Sequence, residues 1–260
     1  MCRPRSFHCE TGFIYEHELA PRVIPLSRLD FHHGEEQGDA GSPGRPGPDR
    51  YGFFCVHDGH AGAARWFDHM LELLSEEMKA RRVVEVDVGG REEHWREAME
   101  ACFERMDEEV VRGRGRVEEL KAVVLVVGDE EIVVASRGDS TAVLYRGHVA
   151  LGLSSHPRFK LHGPNEKSSS KPSVRITDRR DEDRFVLIAS NCLWDVLSEE
   201  VACRIVGRCL DGEWAKEHGE DARGSLGATK AATVLAGLAM ARGSKDNISV
   251  LVVQLANSVH

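Results

Sequence analysis

Layers of antiparallel sheet and helix, rather than a parallel sheet of alternating strands and helices, are what this 260-residue chain predicts. Three observations carry the expectation. Valine-rich runs follow one another at hairpin spacing. Helical patterns occur in separated stretches instead of one after every strand. Three predicted strand ends carry an acid or an amide, at Asp58, Asn191 and Asp246. That is the pattern expected if several strand termini converge on one cation site.

Residues 1–33 show no pattern that assigns an element, and 34–50 (GEEQGDAGSPGRPGPDR) are rich enough in Gly and Pro to read as a loop or linker. The division expected is a weakly patterned segment 1–50 attached to a domain over 51–260. Tyr51–His57 is the first clear strand. From Ala63 the apolar residues Ala63, Trp66, Phe67, Met70, Leu71, Leu74 and Met78 recur at helical spacing. A second helix carries Trp95, Met99, Cys102, Phe103, Met106 and Val110 on one face. Both stripes are core contacts in this reading.

A β meander follows. Lys121–Val127 and Ile132–Ser136 are joined by the short connection Gly128-Asp129-Glu130-Glu131. Arg137-Gly138-Asp139-Ser140 then turns the chain into Ala142–Tyr145. The polar, Pro-containing stretch from Ser154 to Ser173 reads as a loop, and Phe185–Ala189 as a strand. Ser198 has the character of an N-cap, with Glu199 and Glu200 well placed against the helix dipole. A Gly-rich connection spans 211–228, and a helix from about Thr229 to Arg242 ends at Gly243 as a C-cap glycine should. Ser244-Lys245-Asp246-Asn247 is the last turn before the buried strand Ile248–Leu255.

A net charge of -9 argues against a nucleic-acid or anionic-membrane partner. No run is long and apolar enough to cross a bilayer, and no apolar segment follows Met1-Cys2-Arg3-Pro4-Arg5, so a secretory signal is not expected. The seven cysteines are odd in number and scattered, with most inside apolar runs. They read as reduced core residues of an intracellular protein, in cytoplasm or nucleus, and not as a disulfide framework. Cys55, His57 and His60 lie close together, but no C-x-x-C pair accompanies them, so structural zinc is set aside. A monomer is expected.

The densest chemistry lies in Phe53-Phe54-Cys55-Val56-His57-Asp58-Gly59-His60-Ala61-Gly62. A strand ending in Asp-Gly-His offers a carboxylate, an unhindered carbonyl and a titratable ring, and oxygen ligands suit Mg²⁺ or Mn²⁺. Asp-Gly is also ordinary turn chemistry, so alone the triplet leaves both readings open. Arg137-Gly138-Asp139 reads as a tight turn that places Asp139 near a metal.

Four ordered segments together resemble the metal-dependent protein phosphatases of the type 2C class. FFCVHDGHAG is similar to the strand leading to D-G-H-G-G, and IVVASRGDSTAVL to the A-N-x-G-D-S-R-A hairpin. FVLIASNCLWDVLS is similar to F-L-I-L-A-S-D-G-L-W-D-V, and RGSKDNISVLVV to the S-x-D-N-I-T-V-V-V ending. The resemblance implies an α+β fold, a four-layer α-β-β-α sandwich of two antiparallel sheets flanked by helices. It also implies hydrolysis of phosphoserine and phosphothreonine in proteins by water held between two Mg²⁺ or Mn²⁺ ions. By position, Asp58 would bridge both ions, Gly59 would offer a carbonyl, and Asp246 would hold the second ion. His60 would serve as general acid toward the leaving alkoxide, and Asp139 would sit near a third, weaker metal position. Phosphoprotein substrates or regulators are the implied partners.

The departures bear on activity. The family's S-D-G is Ser190-Asn191-Cys192 here, so one ligand has lost its charge and a glycine has gained a side chain. Thr141 stands where the hairpin usually has arginine. The family's arginine-containing acidic N-terminal segment has no recognisable counterpart. Asp30, Glu35 and Glu36 are the available acids, and Arg22 and Arg28 the available arginines. The long stretch that usually follows the hairpin is reduced to the short polar loop 154–184. Two function classes follow: a phosphatase with weakened metal binding, and a catalytically silent member that binds phosphoproteins or regulators.

Overall fold

The computed structural model describes residues 11–14, 28–30, 50–58, 63–81, 88–114, 121–154, 171–213, 227–244 and 248–255. Among these residues ten strands form two five-stranded sheets in which every pairing is antiparallel. The strands are β1 (Thr11–Ile14), β2 (Arg28–Asp30), β3 (Arg50–Asp58), β4 (Lys121–Val127), β5 (Glu131–Arg137), β6 (Thr141–Arg146), β7 (Val149–Gly152), β8 (Ser173–Asp178), β9 (Asp183–Ala189) and β10 (Val250–Gln254). One sheet has the order β2-β3-β4-β5-β8, the other β1-β10-β9-β6-β7.

Alternation along the strands builds three apolar layers, because successive side chains point to opposite faces. Phe54, Val56, Val123, Leu125 and Val134 from one sheet meet Leu144, Val186, Ile188, Leu251 and Val253 from the other. The residues between them on the first sheet, Phe53, Cys55, Val124 and Val126, face outward. They pack under Met70, Leu74, Trp95, Met99 and Phe103 of α1 (Ala63–Arg81) and α2 (Val88–Arg114). On the far face of the second sheet Val143, Phe185, Leu187 and Val252 are covered by α3 (Asn191–Trp194), α4 (Glu199–Leu210) and α5 (Gly227–Ala241). Helix, sheet, sheet, helix is therefore the layer order, as the resemblance implied.

Both predicted helix ends have their expected chemistry. The Ser198 hydroxyl accepts from the Val201 N–H at 3.3 Å, capping α4. Gly243 takes φ +91°. Its N–H reaches the Met240 carbonyl at 2.9 Å, and the Ser244 N–H reaches Ala239 at 3.0 Å, which closes a Schellman motif after α5.

Two differences from the expected layout matter. Within the segment that showed no pattern, β1 pairs with β10 and β2 pairs with β3, so one edge strand goes to each sheet. Within the stretch taken as a polar loop, Ser173–Asp178 forms β8 along β5. Its Val174 and Ile176 pack against the outer helical layer, while Arg175 and Thr177 share the face of Val134 and Ile132 toward the other sheet, where Arg175 donates to the Gly152 carbonyl at 2.7 Å. Of the expected loops 34–50, 154–173 and 211–228, residues 34–49, 155–170 and 214–226 lie outside the described residues, as do 245–247 of the last turn 244–247.

Candidate metal centre

Strand direction and register bring the singled-out residues to one edge of the sandwich. Asp58 closes β3 and is the register partner of Lys121, which opens β4. Ala122, next along β4, pairs with Arg137, the last residue of β5. Gly138, Asp139 and Ser140 then carry the chain across to the other sheet, where Thr141 opens β6 and pairs with Ala189. Ala189 closes β9, pairs with Val250 at the start of β10, and is followed by Ser190 and Asn191. The turn containing Asp246 precedes that strand. The ends of β3, β5 and β9 and the beginning of β10 thus share one rim.

The turn between the sheets is held from both sides. Gly138 has φ +104°, a conformation disfavoured for residues with a Cβ. A Cβ built there would lie 2.7 Å from the Cβ of Lys121, so the lysine stem lies against bare glycine backbone. Lys121 Nζ donates to Asp139 Oδ2 at 2.9 Å, and both side chains are partly exposed. On the other side the buried Arg137 guanidinium donates two 2.6 Å bonds to the Asp107 carboxylate of α2, 5.2 Å from the Phe103 ring centroid. This fork ties the outer helix to the crossover.

On the second sheet, the Ser190 hydroxyl accepts from the Ser249 N–H at 2.9 Å while the Ser190 N–H donates to the Ser249 carbonyl at 3.0 Å. This clamp holds the end of β9 against the entry to β10. The buried Cys192 Sγ lies 3.0 Å from Ser190 Oγ, and Trp194 Nε1 donates to the Ala189 carbonyl at 3.0 Å. Asn191 is the first residue of α3. Its amide Nδ2 donates to Asp195 Oδ2 at 3.1 Å, one turn along.

The predicted ligands divide accordingly. Gly59, His60 and Asp246 lie outside the described residues, as does the side chain of Asp58, whose backbone is the last of β3. The expected convergence of Asp58, Asn191 and Asp246 side chains therefore also falls outside them. Asn191 and Asp139 are described, and each already has a partner: Asp195 for the amide, Lys121 for the carboxylate. Among the described residues no three His, Cys, Asp or Glu side chains gather closely enough to hold an ion. The donors that fit a divalent cation by chemistry are thus Asp58 and Asp246, with the Asn191 carbonyl oxygen left by an amide that points its nitrogen at Asp195. Of the acids weighed as substitutes, Asp30 closes β2 opposite Arg50, while Glu35, Glu36 and Arg22 lie outside the described residues; Arg28 opens β2 opposite Gly52.

Lys121 and Asp195 were not singled out by the sequence. The signal for Lys121 was a cation at the head of a valine strand, legible only once its register with Asp58 is known. The signal for Asp195 was its spacing from Asn191 on a helix that is a single turn long.

With that geometry in place, the chain can be set beside known proteins. Residues 158–248 match the family model described as Protein phosphatase 2C. A rice (Oryza sativa subsp. japonica) protein, "Probable protein phosphatase 2C 8", is 39% identical over 256 residues, covering 78% of this chain and 62% of that protein. The Arabidopsis thaliana "Probable protein phosphatase 2C 24" is 34% identical over 257 residues, covering 78% of this chain and 69% of that one. Among solved structures, the serine-threonine phosphatase 2C from Toxoplasma gondii superposes with a TM-score of 0.55 at 16% identity, covering 94% of this chain and 99% of that one. The chain belongs to the protein phosphatase 2C family. It spans 62% to 64% of the length of the first two relatives it matches. The 256-position span shared with the rice protein is longer than the 78% of this chain lying in it, so that relative carries extra residues inside the matched region.

Proposed function

We propose that this chain is a protein-phosphatase-2C module directed at phosphoserine and phosphothreonine in proteins, with metal-dependent hydrolysis weakened by its own ligand set. The observation that carries the reading is Asn191. It occupies the position of the family's acid, contributes no charge, and donates its amide hydrogen to Asp195. A unit charge within about 2–4 Å of a divalent ion contributes several kcal/mol at an effective dielectric of about 20, before desolvation takes part of it back. Two Mg²⁺ or Mn²⁺ ions would be held by Asp58, the Gly59 carbonyl, Asp246 and the Asn191 oxygen, and would supply activated water and charge neutralisation. His60 would donate the proton to the leaving serine or threonine oxygen.

A second reading, a non-catalytic member that binds phosphoproteins or regulators as a scaffold, is favoured by the Lys121–Asp139 pair, which already neutralises an acid on the same rim. Either module would work inside the cell, in cytoplasm or nucleus. Among the described residues no helix is long and apolar enough to cross a membrane. Phosphate release from a phosphothreonine peptide, measured with Mn²⁺, with Mg²⁺ and with chelator, tests the first reading. Slow release that needs the metal supports it. Saturable peptide binding with no release under any metal would establish the second.

A further inference from the structure

We propose that Lys121 is a built-in substitute for a divalent cation at Asp139. The inference rests on the proposed metal site only for the place of Asp139 on its rim. Three observations carry it. The Lys121 ammonium donates to Asp139 Oδ2 at 2.9 Å. Lys121 is also the register partner of Asp58, so the cation is rooted opposite the strand end whose acid would hold the ions. The turn is shaped around its stem: at Gly138, with φ +104°, any Cβ would collide with Lys121 Cβ and Cγ at 2.7 and 2.8 Å.

A tethered ammonium has two advantages over a dissolved ion at this carboxylate. It is present at every metal concentration, and it loses no translational freedom on pairing because the chain holds it. A divalent ion approaching Asp139 must displace a cation already paired there and accept repulsion from it. Asp139 therefore does not ligate a free ion in this chain. Any ions that bind do so through the other acids of the rim. The consequence for chemistry is a fixed point charge, with three donor hydrogens and no bound water to activate.

Calorimetric Mn²⁺ titration of four proteins tests this: the unaltered chain, Asp139→Asn, Lys121→Met, and the two changes together. Lys121→Met keeps most of the stem against Gly138 and removes only the charge. It is expected to gain one Mn²⁺ per chain over the unaltered protein, and the added Asp139→Asn change is expected to abolish that gain. Asp139→Asn alone is expected to leave the number of bound ions unchanged. That arm stands even if Lys121→Met does not fold. Loss of an ion in Asp139→Asn alone would overturn the inference, as would equal stoichiometry in Lys121→Met and the unaltered protein. If the unaltered chain binds no Mn²⁺ while Lys121→Met gains an Asp139-dependent ion, the two-ion expectation fails and the role of Lys121 stands.

Discussion

Restoring the missing acid, Asn191→Asp, is expected to change the sign of its effect with metal. In chelator the change replaces a hydrogen bond to Asp195 Oδ2, now 3.1 Å long, with two facing carboxylates. Two like charges at that separation repel by about 1.3 kcal/mol in a water-like dielectric, which suits this exposed pair. The lost hydrogen bond adds about 0.5–1.5 kcal/mol. Rotation of the side chains away from each other relieves part of the sum, leaving roughly 1–2 kcal/mol of destabilisation, or a melting temperature lower by about 2–8 °C for a chain of this size. With Mn²⁺ at about 100 times its dissociation constant, binding to the folded state alone contributes about 2.7 kcal/mol. The unaltered protein, binding the ion more weakly, gains less, and the variant should melt above it once that difference in gain exceeds the roughly 1–2 kcal/mol lost in chelator. Differential scanning fluorimetry in chelator and in a Mn²⁺ series reads both arms. A variant that gains nothing over the unaltered chain at any Mn²⁺ concentration would refute the idea that charge at this position limits the site. The single change is cleaner than pairing it with Cys192→Gly. Cys192 is buried at the start of α3, and removing its side chain would add a packing loss of its own.

Two further expectations concern the frame around the rim. Asp107→Ala removes the two 2.6 Å bonds that the buried Arg137 guanidinium makes to that carboxylate; because Asp107 is itself about one-third exposed, the expected loss is about 2–3 kcal/mol, below the range for breaking a fully buried pair. Urea denaturation checks it, and a midpoint within error of the unaltered protein would show that the fork does not anchor α2. Burial pushes the Glu131 carboxyl above the usual carboxylate range, against bonds from Trp95 and Tyr51 and the charge of Arg91. The folded state then holds that proton to higher pH than the unfolded state, so this group's contribution falls as pH rises from about 4.3 toward the folded value. Glu131→Gln, which stays neutral, should flatten that fall in a pH series of urea midpoints; an unchanged slope would assign the dependence to other groups.

The central strands were legible because both faces are covered, which makes each a nearly continuous apolar run. Leu125 and Val126 point to opposite layers, and both are fully buried. β1 and β2 were not legible because four and three residues at a sheet edge take their conformation from the neighbour they pair with. β8 carried a readable signal, Val174 and Ile176 alternating with Ser173, Arg175 and Thr177. Its polar members read as loop because β8 lies at the sheet edge, where the layer between the sheets opens to solvent. At the site, Asp139 and Asn191 were identifiable as positions but not as states. Their partners depend on a register and on a one-turn helix, and neither can be seen in a run of letters.

Asn191 and Lys121 act in the same electrical direction. One removes a negative charge from the rim, and the other adds a positive charge beside it, so under the proposed reading both lower its attraction for divalent cations. The fold does not oppose such drift. Its stability resides in three apolar layers formed by residues such as Phe54, Leu144 and Ile188, none of which depends on an ion. If Asp58 and Asp246 share this rim as proposed, a paired lysine and an uncharged amide would lessen carboxylate repulsion there in the folded state without metal. On that reading phosphate recognition would lose less than hydrolysis, because a phosphate dianion would meet a less negative rim whereas water activation would need the ions themselves. Under the proposed reading the two positions would therefore separate the capacities of the site, weakening turnover more than the binding of a phosphorylated chain.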